Sequence, residues 1–289
     1  MIGFINIYKP QGMTSSSVVQ KIKKKFYIDK IGHMGTLDPM ASGLLPIAIG
    51  KATRLFDYML DKKKVYNVIF DFGYETDTLD ITGTKIYENN VILFDNNTLE
   101  KAVNMMCGKQ MQMPPKYSAK NVNGSRAYTL ARAGVEFELK PKEIEIYKFD
   151  IIEKIDQNKY KFRIECSSGT YIRAIGRDLA KIIGTYATMS YLERCDMGYF
   201  QIDNSYNLDE ILQSDDLEKY VVSPLIVLKN FDIINIDNNT YKDLINGKFV
   251  EYNKIDKNSF VLMNGKLIGV CKPRENQLKF DCYLEENIW

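Results

Sequence analysis

Residues 32–43, Gly-His-Met-Gly-Thr-Leu-Asp-Pro-Met-Ala-Ser-Gly, hold the only histidine in the chain and one carboxylate, Asp38. Pro39 steers Asp38 out of the α region toward extended backbone. The surrounding glycines permit positive φ and close approach of another backbone or a ligand. A segment this rich in glycine and proline is commonly a plain turn. Here it also stations a carboxylate on stiff backbone, which suits nucleophilic or general-base chemistry. His33 is either a proton carrier on that loop or a hydrogen-bonding brace.

Other residues stand out against their local setting. Arg173 falls in the first turn of a helix, where the helix dipole disfavours a cation. It is either an exposed arginine with a snorkelling stem or the partner of a carboxylate from another segment, and Asp38 would be held ionised and aimed by it. Tyr66 lies on a strand face otherwise made of Val and Phe. It is either a core tyrosine with a satisfied hydroxyl or a ring that stacks on an extruded base. From the residues alone, Asp80 reads as a turn acid and Lys9, before Pro10, as a surface cation. Nucleotide-binding motifs are absent: Gly50-Lys51 lacks the spacing and the Ser/Thr of a P-loop, and no G-x-G-x-x-G opens a helix after a strand.

Composition narrows the classes further. With one histidine and five scattered cysteines (107, 166, 195, 271, 282), no zinc site of ordinary spacing can be assembled. The cysteines read as buried free thiols. No run approaches the ~18 apolar residues that a membrane span needs, and the N-terminus has none of the three regions of a signal peptide. A cytosolic protein is expected. Residues 1–64 carry 11 Lys/Arg against 4 Asp/Glu, while the rest carries 28 against 33. Lys21, Lys23, Lys24, Lys25, Lys30, Lys51, Arg54, Lys62, Lys63 and Lys64 form either a face for a phosphate backbone or a solvated lysine surface.

The elements that must position these residues follow from periodicity. A strand at 4–8 enters the turn Lys9-Pro10-Gln11-Gly12, and Thr14 or Ser15 caps a helix with Val18, Val19, Ile22 and Phe26 on one stripe. Strands are predicted at 44–49, 65–72 and 160–166, and helices at 52–60, 98–106, 125–133 and 171–183. The last buries Ile172, Ile175, Leu179, Ile182 and Ile183. Residues 73–84 read as a polar acidic loop and 113–123 as an irregular Pro-Pro segment. The alternation at 160–166 leaves one face solvated, so the sheet is mainly antiparallel. After Ser223-Pro224 the composition shifts. Asn264-Gly265 between apolar runs then predicts a type I′ hairpin, in a small β-rich domain from about residue 230.

Taken together, these segments resemble the TruB family, the tRNA pseudouridine-55 synthases. The resemblance is carried by Lys9-Pro10-Gln11-Gly12-Met13-Thr14-Ser15, Gly32-His33-Met34-Gly35-Thr36-Leu37-Asp38-Pro39, Gly50-Lys51-Ala52-Thr53, Tyr66, 73–80, Pro114-Pro115-Lys116-Tyr117-Ser118-Ala119 and Ser168-Gly169-Thr170-Tyr171-Ile172-Arg173. It implies an α+β pseudouridine-synthase fold with a mixed, mainly antiparallel central sheet over 1–228. Residues 117–141 would form a mobile, thumb-like RNA-binding insertion, and 229–289 a small PUA-like domain. The implied reaction isomerises uridine 55 in the tRNA T-loop, without cofactor or metal.

By position, Asp38 resembles the catalytic aspartate, Tyr66 the tyrosine that stacks on the flipped uracil, and Arg173 the partner of Asp38. Tyr171 and Leu192 resemble walls of the uracil pocket, and His33 a residue holding the flipped-out loop. Lys9 and Asp80 match positions near the site. Glu193 and Cys195 depart from the family's usual Leu-Arg-Arg-Thr at 192–195, which bears on an RNA contact there. The expected partner is the T stem-loop of tRNA, with no membrane, no guide RNA and a monomeric chain. A non-catalytic tRNA-binding or folding protein is the alternative. A guide-dependent synthase is a weaker one, because the chain starts at its first catalytic-domain strand.

Overall fold

The computed structural model describes residues 1–59, 63–89, 94–122 and 124–284. A mixed sheet runs through the order Tyr206–Asn207, Gly3–Lys9, Ser42–Ile49, Ala187–Met197, Lys64–Phe72, Lys159–Cys166, Lys142–Asp156 and Gly108–Gln112. Gly3–Lys9 meets Tyr206–Asn207 in parallel, and Ser42–Ile49 meets Ala187–Met197 in parallel. The remaining pairs on this path are antiparallel. A mixed, mainly antiparallel sheet is therefore what forms.

Strand Lys64–Phe72 shows why the centre holds. Its alternation puts Tyr66, Val68, Phe70 and Phe72 on the buried face. The rings of Phe70 and Phe162 lie 5.5 Å apart, and those of Phe72 and Tyr160 5.9 Å apart. Helix Ile172–Ile183 covers this face with Ile175, Leu179 and Ala180. Gly176 is what lets it sit so close: a Cβ there would fall 2.6 Å from the Phe70 ring. That contact fixes the height of the helix, and with it Arg173 one turn earlier.

Several local expectations change. Residues 73–84 are not all loop, because Tyr74–Thr76 pairs with Lys85–Glu88. Ser125–Arg126 pairs with Asn121–Val122, so the helix expected at 125–133 shrinks to Ala127–Arg132. The helix expected at 52–60 is a 3-10 helix, Gly50–Met59, and Leu60 lies outside the described residues, as do Lys62 and Asn123. Ile182 is exposed rather than buried, being on the flank of its helix's apolar stripe. Cys107 is exposed, whereas the other four cysteines are buried. Two long strands, Lys142–Asp156 and Ala187–Met197, carry no clean period in the sequence. Register shifts interrupt both, and the last five residues of the first are exposed.

Beyond residue 228 the chain is β-rich, as expected. Asp232–Asn235, Ser259–Met263, Lys266–Cys271 and Cys282–Tyr283 form a four-stranded sheet. Asn264 and Gly265 both have positive φ, the type I′ signature. One side of this sheet packs on itself through Ile234, Val261, Ile268 and Leu278. The other side contributes Phe260, Leu262, Val270 and Leu284 to a cluster shared with Phe4, Leu44 and Phe200 of the main sheet and with Met34 of the loop that leads to Asp38. The two sheets are joined by apolar packing.

Gly176→Ala is expected to force the helix off Phe70 and lower stability by about 1–3 kcal/mol, read as a reduced urea midpoint with an unchanged slope.

Candidate active site

Asp38 is presented by a loop that is held on both sides. Leu37 N donates to Ser15 Oγ at 2.9 Å, and the same hydroxyl donates to Leu37 O at 3.0 Å. Pro39 O accepts from Gly12 N at 2.8 Å and from Lys9 Nζ at 3.4 Å. Lys9 Nζ also donates to Pro10 O at 2.9 Å and to Met13 O at 2.7 Å. Thr14 takes the N-cap of helix Ser15–Phe26, which leaves the Ser15 hydroxyl free for Leu37. The stretch Lys9–Ser15 is thus a clamp on the Asp38 loop. Lys9 is fully buried, which corrects its reading as a surface cation. Burial lowers its pKa to about 8, with the Asp38 charge opposing and the Arg194 charge adding to the shift.

Arg173 is buried, and each of its three guanidinium nitrogens lies against an oxygen acceptor. Nε lies 2.9 Å from Asp38 Oδ2, and Nη2 donates to Asp38 Oδ1 at 3.3 Å and Tyr117 O at 3.0 Å. Nη1 donates to Thr78 O at 2.8 Å and lies 3.4 Å from Asp80 Oδ2. The partner expected for the misplaced cation is therefore Asp38, joined by Asp80. Two carboxylates and two carbonyls offset the unfavourable helix terminus. Asp80 is both turn acid and ion-pair partner: its Oδ1 accepts from Thr82 N and from Thr78 Oγ1, both at 2.9 Å.

Asp38 keeps about a third of its side chain exposed, 33%, against 7% for Arg173 and 5% for Asp80. It is the open corner of the network. Burial pushes its carboxyl above the usual aspartate range and the Asp80 charge adds to that, while Arg173 and Lys9 pull it back. The carboxylate is basic for an aspartate, yet stands against a cation that stabilises its ionised form.

Beside it lies an apolar floor. Leu37, Ala41, Tyr66, Ile172 and Leu192 belong to one buried cluster. Tyr66 is 6% exposed, and burial raises its pKa to about 12 although the charge of Arg194 opposes the shift. Tyr171 is half-buried at the N-cap of the Arg173 helix. Its N–H donates to Gln112 Oε1 at 2.8 Å, and its carbonyl accepts from Gln112 Nε2 at 3.1 Å. His33 sits on the short strand Ile31–His33 with Nδ1 buried and without a hydrogen-bond partner, and burial lowers its pKa. It does not bond to Asp38.

A groove of about 980 Å³ opens between the 74–88 hairpin and residues 113–139. Its lining includes Tyr117, whose carbonyl binds Arg173 and whose hydroxyl donates to Asp77 at 3.4 Å. Among the described residues, no group of three or more His, Cys, Asp or Glu is placed to hold a metal.

Sequence reasoning missed Arg194, Gln112, Ser15 and Thr78. Arg194 is 1% exposed, with Nε donating to Leu44 O at 2.8 Å and Nη2 to Gly35 O at 3.1 Å. A signal for it existed: it follows Leu192 by two residues on one strand, so both point to the same face. Glu193 points to the other face. Its carboxylate accepts from Tyr8 Oη at 3.2 Å and from Asn67 Nδ2 at 3.3 Å.

Comparison with known proteins bears on the family and the fold. The profile of the TruB family pseudouridylate synthase N-terminal domain matches residues 23–172. The tRNA pseudouridine synthase B of Caldanaerobacter subterraneus subsp. tengcongensis is 36% identical, over 93% of this chain and 94% of its own. That of Clostridium novyi is 43% identical, over 86% of this chain and 84% of its own. Among solved structures, an H/ACA RNP bound to a substrate RNA containing 2′-deoxyuridine superposes with a TM-score of 0.71. It covers 99% of this chain and 86% of the other at 19% identity. A Cbf5-Nop10-Gar1 complex gives 0.69, covering 98% of this chain and 83% of the other at 21% identity. At such identities these two structures speak for the fold alone.

Ser15→Ala is expected to leave Leu37 N and O unsatisfied and to cost about 1–3 kcal/mol. Faster amide exchange at Leu37, with helix Ser15–Phe26 still protected, is the local readout.

Proposed function

The chain belongs to the TruB family of pseudouridylate synthases, and on that premise we propose that it isomerises uridine 55 in the T-loop of tRNA to pseudouridine, acting alone. The observation that carries the reading is the open carboxylate of Asp38 on a clamped loop, paired with the buried Arg173 beside the floor of Tyr66 and Leu192.

The reaction breaks C1′–N1, turns the uracil and joins C1′ to C5. N1 gains a proton, C5 loses one, and no electrons leave the substrate. Asp38 is the catalytic residue, with C1′, uracil C6 and the C2′ proton as its possible points of attack. Arg173 keeps it ionised and aimed, and Asp80 holds Arg173 from the far side. The uridine is stacked in the folded loop, so it is extruded before it reaches Asp38. Tyr66 supplies the ring on which the base stacks, with Leu192 and Tyr171 as walls. Its phenol, at about 12, is protonated in the free protein at neutral pH. Taking the C5 proton would then call on Arg194, whose charge favours the phenol's anion. Lys9 positions the Asp38 loop, and His33 braces the flipped-out conformation.

In the same reading, residues 1–228 are the catalytic domain, 117–141 close over the RNA arm and 229–289 are a PUA-like RNA-binding domain. Arg126 and Arg132 flank the short helix of the 117–141 segment, where they meet phosphates. The chain works as a monomer in the cytosol without a guide RNA. No described helix is long and apolar enough to cross a membrane.

Purified protein incubated with a T-loop transcript alone is expected to form pseudouridine. Asp38→Asn should lower the rate at least about a thousandfold while RNA binding survives; retained product formation in that variant would refute the assignment.

The pH profile of kcat/KM supplies a second check. Asp38 must be ionised and its pKa lies above the ordinary value of ~3.9, so activity should fall, as pH drops, at a higher pH than an unperturbed aspartate gives. Arg173→Lys loses the paired hydrogen bonds to the ionised form, and the acid limb should move further up.

A further inference from the structure

Three cations meet beside Tyr66 with no carboxylate among them. Lys64 is 9% exposed, and Ser168 Oγ is the hydrogen-bond partner of its Nζ, at 3.3 Å. Arg194 turns Nη1 toward Gly35: a Cβ built on Gly35 would lie 3.3 Å from that nitrogen and 3.5 Å from Lys64 Nζ. Lys142 Nζ occupies the place that a Cβ on Gly169 would take. Neither Lys64, Lys142 nor Arg194 forms an ion pair among the described residues. The nearby carboxylate Glu165 is taken by Lys63 at 2.8 Å.

A buried ammonium beside a buried guanidinium is costly without a counter-charge. Burial, and then the charge of Arg194, lower the Lys64 pKa to about 8. Meanwhile Lys142, Gly35 and Gly169 are exposed, so the cluster has a mouth. Both glycines have positive φ, +82° and +87°, which keeps a side chain out of that mouth. Cations without a counter-ion, a hydroxyl donor and open glycines are the makings of an anion site.

The location names the anion. Gly35 is three residues before Asp38 on one loop. Lys64 is two before Tyr66 on the same strand face. Ser168 opens the loop that leads to Arg173. Each segment that builds the uridine pocket therefore also builds the cation cluster, one step along its own backbone. We propose that Lys64, Lys142 and Ser168, backed by Arg194, bind a backbone phosphate of the substrate RNA adjacent to the extruded uridine. This rests on the reading of the chain as a tRNA-acting synthase, and it adds a subsite in which one phosphodiester neutralises the buried lysine and fixes the flipped nucleotide.

The test uses T-arm stem-loops carrying a single neutral methylphosphonate linkage on either side of the target uridine, with wild type, Lys64→Met and Lys142→Gln. Wild type should lose about tenfold in affinity for one of the two linkages. Each variant should bind unmodified RNA about tenfold more weakly, mainly through KM, yet lose little more with that same linkage. The slope of log affinity against log salt should shrink by about 0.7–0.9 per lysine removed. Free Lys64→Met should melt a few degrees higher than wild type, since a buried charge without a counter-ion has gone.

Wild-type affinity and salt slope in both variants would overturn the proposal, and so would strictly additive losses at both linkages. Lys142 is exposed, so Lys142→Gln carries the test even if Lys64→Met fails to fold. A wild-type protein that makes no pseudouridine on unmodified RNA would instead sink the functional reading itself.

Discussion

The guanidinium of Arg173 has its N–H donors in a fixed planar fork, and acceptors from three separate stretches surround it: Asp38, the turn of Thr78 and Asp80, and Tyr117. Such a fork tolerates little rotation, so those stretches must arrive in one arrangement or leave a buried cation unpaired. Much of the remaining architecture serves that requirement. Gly176 against Phe70 sets the height of the arginine's helix, and Gln112 grips both backbone groups of Tyr171 at its start. Threonines 78 and 82 hold Asp80 in place to receive the far side of the fork.

Asp38 is rigid for a different reason. Its loop has no regular hydrogen-bond ladder of its own, so donors from outside supply one. Ser15, Gly12 and Lys9 take the backbone groups of Leu37 and Pro39, and Arg194 takes the carbonyls of Gly35 and Leu44. A carboxylate held this way needs no reorganisation when charge develops near it. The cost falls on the clamp, since Lys9 is an ammonium in a buried position that three carbonyls and the charge of Asp38 keep tolerable.

Charge divides the pocket into two unlike halves. On one side a single arginine faces two carboxylates. On the other, Arg194 and Lys64 are buried beside each other, with Lys142 near by and no carboxylate paired to any of them among the described residues. The lysine excess of the first 64 residues accordingly meets three fates. Lys21, Lys24 and Lys30 remain on the surface, Lys25 and Lys63 pair with Asp215 and Glu165, and Lys64 turns inward beside Tyr66. Only the first fate matches a simple basic face. The inward lysine bears on function because its position follows from strand parity.

Wherever one element dictates its own pattern, the sequence alone was decisive. The strand of Tyr66, the helix of Arg173, the cap at Thr14 and the Asn264-Gly265 hairpin are local matters of period, capping and turn chemistry, and they form as the residues require. The motif residues also marked Asp38, while an arginine set against its helix dipole left two readings open, an exposed side chain or a carboxylate's partner, and the family resemblance pointed to Asp38 as that partner. What only the tertiary structure decided is which charges are buried together. Lys9 looked like a surface cation, Arg194 went unnoticed on an irregular strand, and Ser15 passed for a second helix cap. Each owes its role to a partner 22 to 159 residues away or to a strand interrupted by a bulge. Periodicity reports which face a residue takes on its own element. It carries no record of the other face that folding brings against it, and the energy of a buried charge depends on that second face.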